Sequence, residues 1–272
     1  MKLLYKDLTY KLRGCFFDVQ NALGTGYDEE TYHLALVHHL KKRQIPFETK
    51  ATRYIEHRGI KVHKFEIDLI IDKSIILELK SIPTSFTPHN YLQIISYLKC
   101  CKKDLGLLIN FGQSKVKIER VLFSEKQLKI EEDYSEIKGL LSSERRKQLI
   151  HLREAILTIF DSFGLGYNDT IYRALLQEEL TFKSIPFVPF IYIPVEYDGQ
   201  VIREFELKLP VIANDFICGV TALKEDLELD IHKMKTYLKA TGIPFGVLAH
   251  FGKDELDIIG ISPTDGYSSR IY

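Results

Sequence analysis

The 272-residue sequence repeats itself, so its fold must be one that can be built twice from about 120 residues. LGTGYDEETY at 23–32 returns as FGLGYNDTIY at 163–172. QIPFETKATRYIEHRGIKVHKFEIDL (44–69) returns as SIPFVPFIYIPVEYDGQVIREFELKL (184–209), and SYLKCCKKDLGLLINFG (96–112) as TYLKATGIPFGVLAHFG (236–252). The offset is 140 residues, interrupted by one extra residue near 213–216 that is compensated later. The sequence thus predicts a first domain at 1–124, a charged linker or exposed helix at 125–148, and a second domain at 149–272.

Each copy reads as the same series of elements. Apolar spacing (Leu8, Leu12, Cys15, Phe16, Val19, Leu23) predicts an opening helix that stops at the glycines of LGTG. A second helix follows at about 28–43, with Asp28, Glu29 and Glu30 suited to its first turn. Three strands come next, near 48–56, 61–71 and 75–80, then a helix near 88–101 and strands at 105–111 and 117–123. The order ααβββαββ, with a strand–helix–strand crossover, describes an α/β fold: a mixed sheet flanked by helices.

Within this frame DLIIDKSIILELK (68–80) is anomalous. Its apolar runs flank a polar break, Asp72-Lys73-Ser74, as in a β-hairpin. If those three residues form the loop, Ile71 pairs with Ile75 and Asp68 lies opposite Glu78. Facing residues have Cβ atoms about 5 Å apart, and like charges there are destabilising. Lys80 shares the face of Glu78 by strand alternation. Two carboxylates and a lysine on one sheet face need a compensating cation or a reason to be neutral. A hard divalent ion with oxygen ligands would meet that need, and Mg²⁺ beside a phosphate ester fits best. Carboxylates pointing to opposite sides of the sheet, or each already neutralised by a protein cation, would end the case for catalysis.

Composition narrows the partners. Net charge is zero, yet residues 1–124 hold 20 Lys+Arg against 13 Asp+Glu, and residues 149–272 hold 11 against 18. A basic half at +7 and an acidic half at −7 suit a polyanion on the first copy, or an attraction between the halves. No apolar run approaches the roughly 20 residues of a membrane span, and MKLLYKDLTYKL lacks a signal-peptide core. Cys15, Cys100, Cys101 and Cys218 show neither CxxC nor zinc spacing. The expected setting is the cytoplasm, with no membrane partner.

Further motifs carry a resemblance. Gly26-Tyr27-Asp28-Glu29-Glu30-Thr31-Tyr32 spells GxxExxY, and FEIDLIIDKSIILELKS, QIISYLK and LGLLINFG follow in order. The chain resembles the GxxExxY proteins, a branch of the PD-(D/E)XK nuclease superfamily, over residues 5–123 and more weakly over 145–262. The resemblance implies two tandem restriction-endonuclease-like domains and a Mg²⁺-dependent nuclease, with Mn²⁺ as a substitute. It implies Glu29, Asp68, Glu78 and the Leu79 carbonyl as metal ligands and Lys80 as the catalytic lysine. Gln93 and Tyr97 resemble the QxxxY element of the lambda-exonuclease-like branch. Relatives commonly carry a histidine three residues before that glutamine; here Asn90 stands there and His89 is displaced by one. Nucleic acid is the expected partner, DNA before RNA, and the two copies could pair within one chain.

The second copy offers an internal comparison. It has Asp169 for Glu29, Lys208 for Asp68, Gly219 for Glu78, Thr221 for Lys80 and Lys233 for Gln93, while Tyr237 matches Tyr97. The triplet Glu206-Leu207-Lys208 falls on the earlier strand and is not an equivalent of Glu78-Leu79-Lys80. The second copy is therefore expected to be non-catalytic and supportive. The competing expectation is a nuclease-derived binding or regulatory protein in which neither site is active.

Overall fold

The computed structural model describes residues 4–124, 129–222 and 227–263. Two compact units emerge, Met1–Ile55 with His63–Glu125, and Glu56–Val62 with Lys126–Tyr272. The first copy runs α1 (Lys6–Leu23), α2 (Glu29–Lys42), β1 (Phe47–His57), β2 (Ile60–Ile71), β3 (Ile75–Lys80), α3 (Pro88–Cys101), β4 (Leu105–Asn110) and β5 (Lys117–Leu122). This is the ααβββαββ order. The strands form one sheet in the order β1-β2-β3-β4-β5, with β2–β3 and β4–β5 antiparallel and β3–β4 parallel. Parallel neighbours need a crossover, which α3 supplies.

Strand alternation separates the two faces. Leu69, Ile71, Ile75, Leu77 and Leu79 share a core with Leu12, Phe16, Tyr32 and Leu36 of α1 and α2. The opposite face meets α3, where Ile94 and Leu98 crowd the backbone of Gly106. Asp68, Glu78 and Lys80 belong to this second set by parity. Both faces are buried, which explains why β2–β4 read as continuous apolar runs.

The GxxExxY segment is a device for starting α2. Gly26 has φ +113°, a conformation that glycine adopts without strain. Asp28 caps α2, its Oδ1 accepting from the Thr31 amide at 2.9 Å. Tyr32 is fully buried and stacks on Phe111 with centroids 4.8 Å apart, and its hydroxyl donates to the Gly24 carbonyl at 2.8 Å. The second copy keeps the device: Gly166 has φ +113°, Tyr172 stacks on Phe251 at 3.8 Å and donates to Gly164 O at 2.5 Å. Tyr32→Phe should cost about 1 kcal/mol, since Gln20 still donates to that carbonyl. Urea unfolding should show a lower midpoint at unchanged slope.

The second unit departs from the simple repeat. It contains β6 (Lys129–Asp133), a 3-10 turn (Ser135–Leu140), α4 (Ser143–Phe163), α5 (Asp169–Phe182), β7 (Phe187–Val188), β8 (Ile191–Tyr197), β9 (Gln200–Leu207), β10 (Val211–Ile212), β11 (Phe216–Ala222), α6 (Leu227–Thr241), β12 (Gly246–Phe251) and β13 (Glu255–Ile261). Six strands form a mixed sheet in the order β6-β13-β12-β11-β10-β7, and β8-β9 stand apart as a pair. Two strands of the first copy are each split here. Pro189 and Pro210 sit at the breaks, where a missing N–H interrupts the ladder. The turn at 213–215 matches 72–74 in length, with Ile212 opposite Phe216 as Ile71 is opposite Ile75, so the extra residue read near 213–216 lies instead in the break between β9 and β10.

The segment read as a linker or exposed helix differs most from its sequence reading. Residues 125–128 lie outside the described residues, but β6 pairs in parallel with β13, and Ile137 of the 3-10 turn is fully buried against Gly260. All five residues of β6 are exposed and three are acidic, so no apolar alternation marks the strand; charged edges of this kind also discourage sheet-to-sheet association. Among the described residues, no helix is long and apolar enough to cross a membrane. All four cysteines are free thiols.

Candidate active site

The β2–β3 hairpin pairs Ile71 with Ile75, Ile70 with Ile76 and Leu69 with Leu77. One step further brings Asp68 level with Glu78, where Asp68 Oδ2 accepts from the Leu79 amide at 2.9 Å. Asp68 is 7% exposed and Glu78 2%, so two carboxylates stand on one buried sheet face. Lys80 follows on that face, its Nζ 2.5 Å from Glu78 Oε1 and 3.7 Å from Glu29 Oε2 at the start of α2. Glu29, Asp68, Glu78, Leu79 and Lys80 therefore converge.

A second lysine, which the sequence did not single out, completes the cluster. Lys50 of β1 lies 3.2 Å from Asp68 Oδ1 and 3.2 Å from Glu30 Oε2. Its φ of +47° is unusual for a non-glycine strand residue. Such local distortions re-aim side chains beside functional sites. His33, one turn beyond Glu29, is buried and shares a 2.7 Å hydrogen bond with Thr49. Burial first, and then Lys50, hold its pKa below the usual histidine value.

Both core carboxylates thus face a protein cation. Asp68 meets Lys50 and Glu78 meets Lys80, and this pairing counts against the expectation of a bare acidic site. Among the described residues, no group of three or more His, Cys, Asp or Glu is spaced to hold a metal ion as it stands. Charge is nevertheless not balanced. Glu29, Glu30, Asp68 and Glu78 share two ammonium groups. Glu78 is pushed up to about 8, by burial first and by Asp68 next, against the lowering effect of Lys80. Burial also raises Glu29, partly offset by Lys80. Burial works against the Lys80 ammonium, yet Glu78 outweighs it and holds the pKa above the ordinary lysine value. In donor chemistry and position the carboxylates fit a hard divalent ion that takes over charge compensation from the lysines.

Helix α3 lies over this face. Gln93 Nε2 donates to the Tyr97 hydroxyl at 2.8 Å, and that hydroxyl donates to Glu66 O at 3.2 Å. Tyr97 is 5% exposed, and burial followed by the Glu78 charge raises its pKa, so it stays a donor. Asn90 Oδ1 accepts from the Thr87 amide at 2.8 Å and closes the start of α3, whereas His89 is exposed. Asn90 thus serves the helix end.

At the corresponding place in the second copy, Met234 and Leu248 pack close against Gly219, which stands where the acid was. A Cβ built there would lie 2.7 Å from Met234 Cε and 2.9 Å from Leu248 Cδ1. Lys208 pairs with Glu206 at 3.3 Å and Lys233 with Asp230 at 3.0 Å. Thr221, in the place of Lys80, shares a 2.9 Å hydrogen bond with His250. The carboxylate set of the first copy has no equivalent here.

Comparison with known proteins agrees with the repeat. No curated protein matches the chain. A solved structure entitled "Crystal structure of SSO0001" aligns at 24% identity over 36% of this chain and 50% of its own, with a TM-score of 0.29. The chain covers only half of that relative, and a likeness of this size carries no argument. The family described as the PD-(D/E)XK nuclease superfamily matches residues 6–121 and again 147–259, one span for each copy. With both copies covered, the chain belongs to the PD-(D/E)XK nuclease superfamily.

Proposed function

We propose that the first copy hydrolyses phosphodiester bonds in nucleic acid, DNA in preference to RNA, with Mg²⁺ or Mn²⁺ held by Glu29, Asp68, Glu78 and the Leu79 carbonyl. The supporting observation is the excess of acids: four carboxyl groups meet two ammonium groups, and one divalent ion would make up the difference as Glu78 ionises. When bound, such an ion polarises a phosphoryl oxygen and lowers the pKa of its water. Lys80, at the edge of the acidic pair, offsets charge that builds on the phosphate. Lys50 orients Asp68 and Glu30. Tyr97 fixes the Gln93 amide over the sheet. We read the chain as a GxxExxY-type member whose second copy supports the first without cutting.

One observation favours a second reading. Asp68 and Glu78 each already meet a lysine, which suits a nuclease-derived protein that binds nucleic acid or a protein partner without cleavage. The two readings separate in one assay. Single- and double-stranded DNA and RNA are incubated with the protein in Mg²⁺, Mn²⁺ or chelator, beside Asp68→Ala. Metal-dependent cleavage lost in the variant supports the nuclease. Equal background in both proteins, with binding indifferent to metal and to the substitution, supports the binding protein.

A further inference from the structure

The second copy carries a cavity of about 360 Å³ where the first carries its acidic cluster, a volume typical of small-ligand sites. Arg173, Lys208, Lys233, Thr221, Phe205 and Tyr237 are among its walls. Counted against the first copy, Arg173 replaces His33, Lys208 replaces Asp68 and Lys233 replaces Gln93, while the Glu78 carboxylate is gone. These exchanges add positive charge, offset in part by Thr221 in the place of Lys80 and Asp230 in the place of Asn90, so the lining holds three cations and three carboxylates inside the half of the chain that is acidic overall. A cleft with an excess of carboxylates has become one in which cations and carboxylates are equal in number.

Three further features point to an anionic ligand. Arg173 keeps a buried Nε with no hydrogen-bond partner among the described residues, so a donor in the wall awaits an acceptor. The carboxylates that accompany the cations hold them at salt-bridge range without closing the cavity: Asp169 is 3.7 Å from Arg173, Glu206 3.3 Å from Lys208 and Asp230 3.0 Å from Lys233. Carboxylates interleaved with cations can accept from sugar hydroxyls while the cations take a phosphate. Phe205 and Tyr237 stack within 16° of parallel with centroids 6.1 Å apart, an aromatic pair beside which a base can lie.

We infer that this cleft binds a nucleoside phosphate, either free or as the terminal nucleotide of a strand, without a metal ion. Phosphate meets Arg173, Lys208 and Lys233, and the base lies beside Phe205 and Tyr237. The inference stands apart from cleavage by the first copy.

Calorimetric titration of the full-length protein in chelator with 5′-AMP, and separately with a 5′-phosphorylated single-stranded oligonucleotide, tests it. Wild type and Asp68→Ala should bind at least one probe alike. The double variant Lys208→Glu/Lys233→Glu, which alters two largely exposed side chains, should bind about tenfold more weakly or not at all. Unchanged circular dichroism and melting would show that this variant folds; if it does not, Lys233→Gln alone is used. Binding of 5′-AMP identifies a free nucleotide, and binding of the oligonucleotide alone identifies a strand end. The proposal falls if neither probe binds the wild type. It also falls if a folded double variant binds as well as wild type, or if Asp68→Ala abolishes the binding.

Discussion

Asp68→Asn should lower Mg²⁺-supported cleavage about a thousandfold, because a metal-ligand charge supplies several kcal/mol of transition-state stabilisation. The amide keeps the shape and can still accept from the Leu79 N–H, so the hairpin should hold. What disappears is one of the four carboxyl groups that meet two lysines. Mg²⁺ should therefore raise the melting temperature of the wild type and leave the variant nearly unmoved. Asp68→Ala is a harsher change: it also leaves the Leu79 amide, in the interior of the sheet, without its acceptor, at about 1–3 kcal/mol. A variant that loses cleavage and the Mg²⁺ response while melting like the metal-free wild type is the expected pattern. Cleavage by Asp68→Asn at the wild-type rate would remove Asp68 from the chemistry.

The second large effect is on stability, and its sign follows from Glu78. An unfolded glutamate ionises near 4.5, whereas in the fold Glu78 stays protonated up to about 8, chiefly because it is buried. The folded chain thus binds this proton more tightly than the unfolded chain. Stability from this group is fully present below pH 4.5 and is lost as pH rises through about 8. The upper bound on the loss is about 3 kcal/mol by pH 7 and about 5 kcal/mol above pH 8. Glu78→Gln cannot ionise and escapes the slope, though Lys80 loses its partner and trims the gain. In chelator, urea unfolding should find the variant more stable than wild type at pH 8.5 and similar at pH 4.5. Parallel pH profiles would mean that burial does not control this carboxyl. A residue proposed to hold the metal ion is in that sense a liability to the fold.

Much of this was legible in the sequence for identifiable reasons. Ile71 opposite Ile75 followed from the loop length, and that register alone brought Asp68 level with Glu78. Helix α3 was readable from its spacing, and with it the Gln93–Tyr97 pair. Lys50 was not, because nothing in the sequence marks the φ of +47° at this strand position or its pairing with Asp68. Glu30 was hidden in the same way, as one acid among three at the start of α2. The β6–β13 pairing escaped notice because it joins segments more than 120 residues apart through a strand with no buried residue. The splitting of the second copy's strands traces to prolines, whose effect depends on which ladder bonds they interrupt.

The packing around Gly219 has a consequence for anyone wishing to equip the second copy as a nuclease. Grafting a glutamate at that position brings its first carbon against Met234 Cε and Leu248 Cδ1, so the side chain enters only as those two flexible ends swing aside into the neighbouring cavity. Lys208 must also revert to an acid, and each of these changes alone is a defect. Conversion in the other direction needs only the deletion of an acid, so the path between the copies takes fewer changes one way than in reverse.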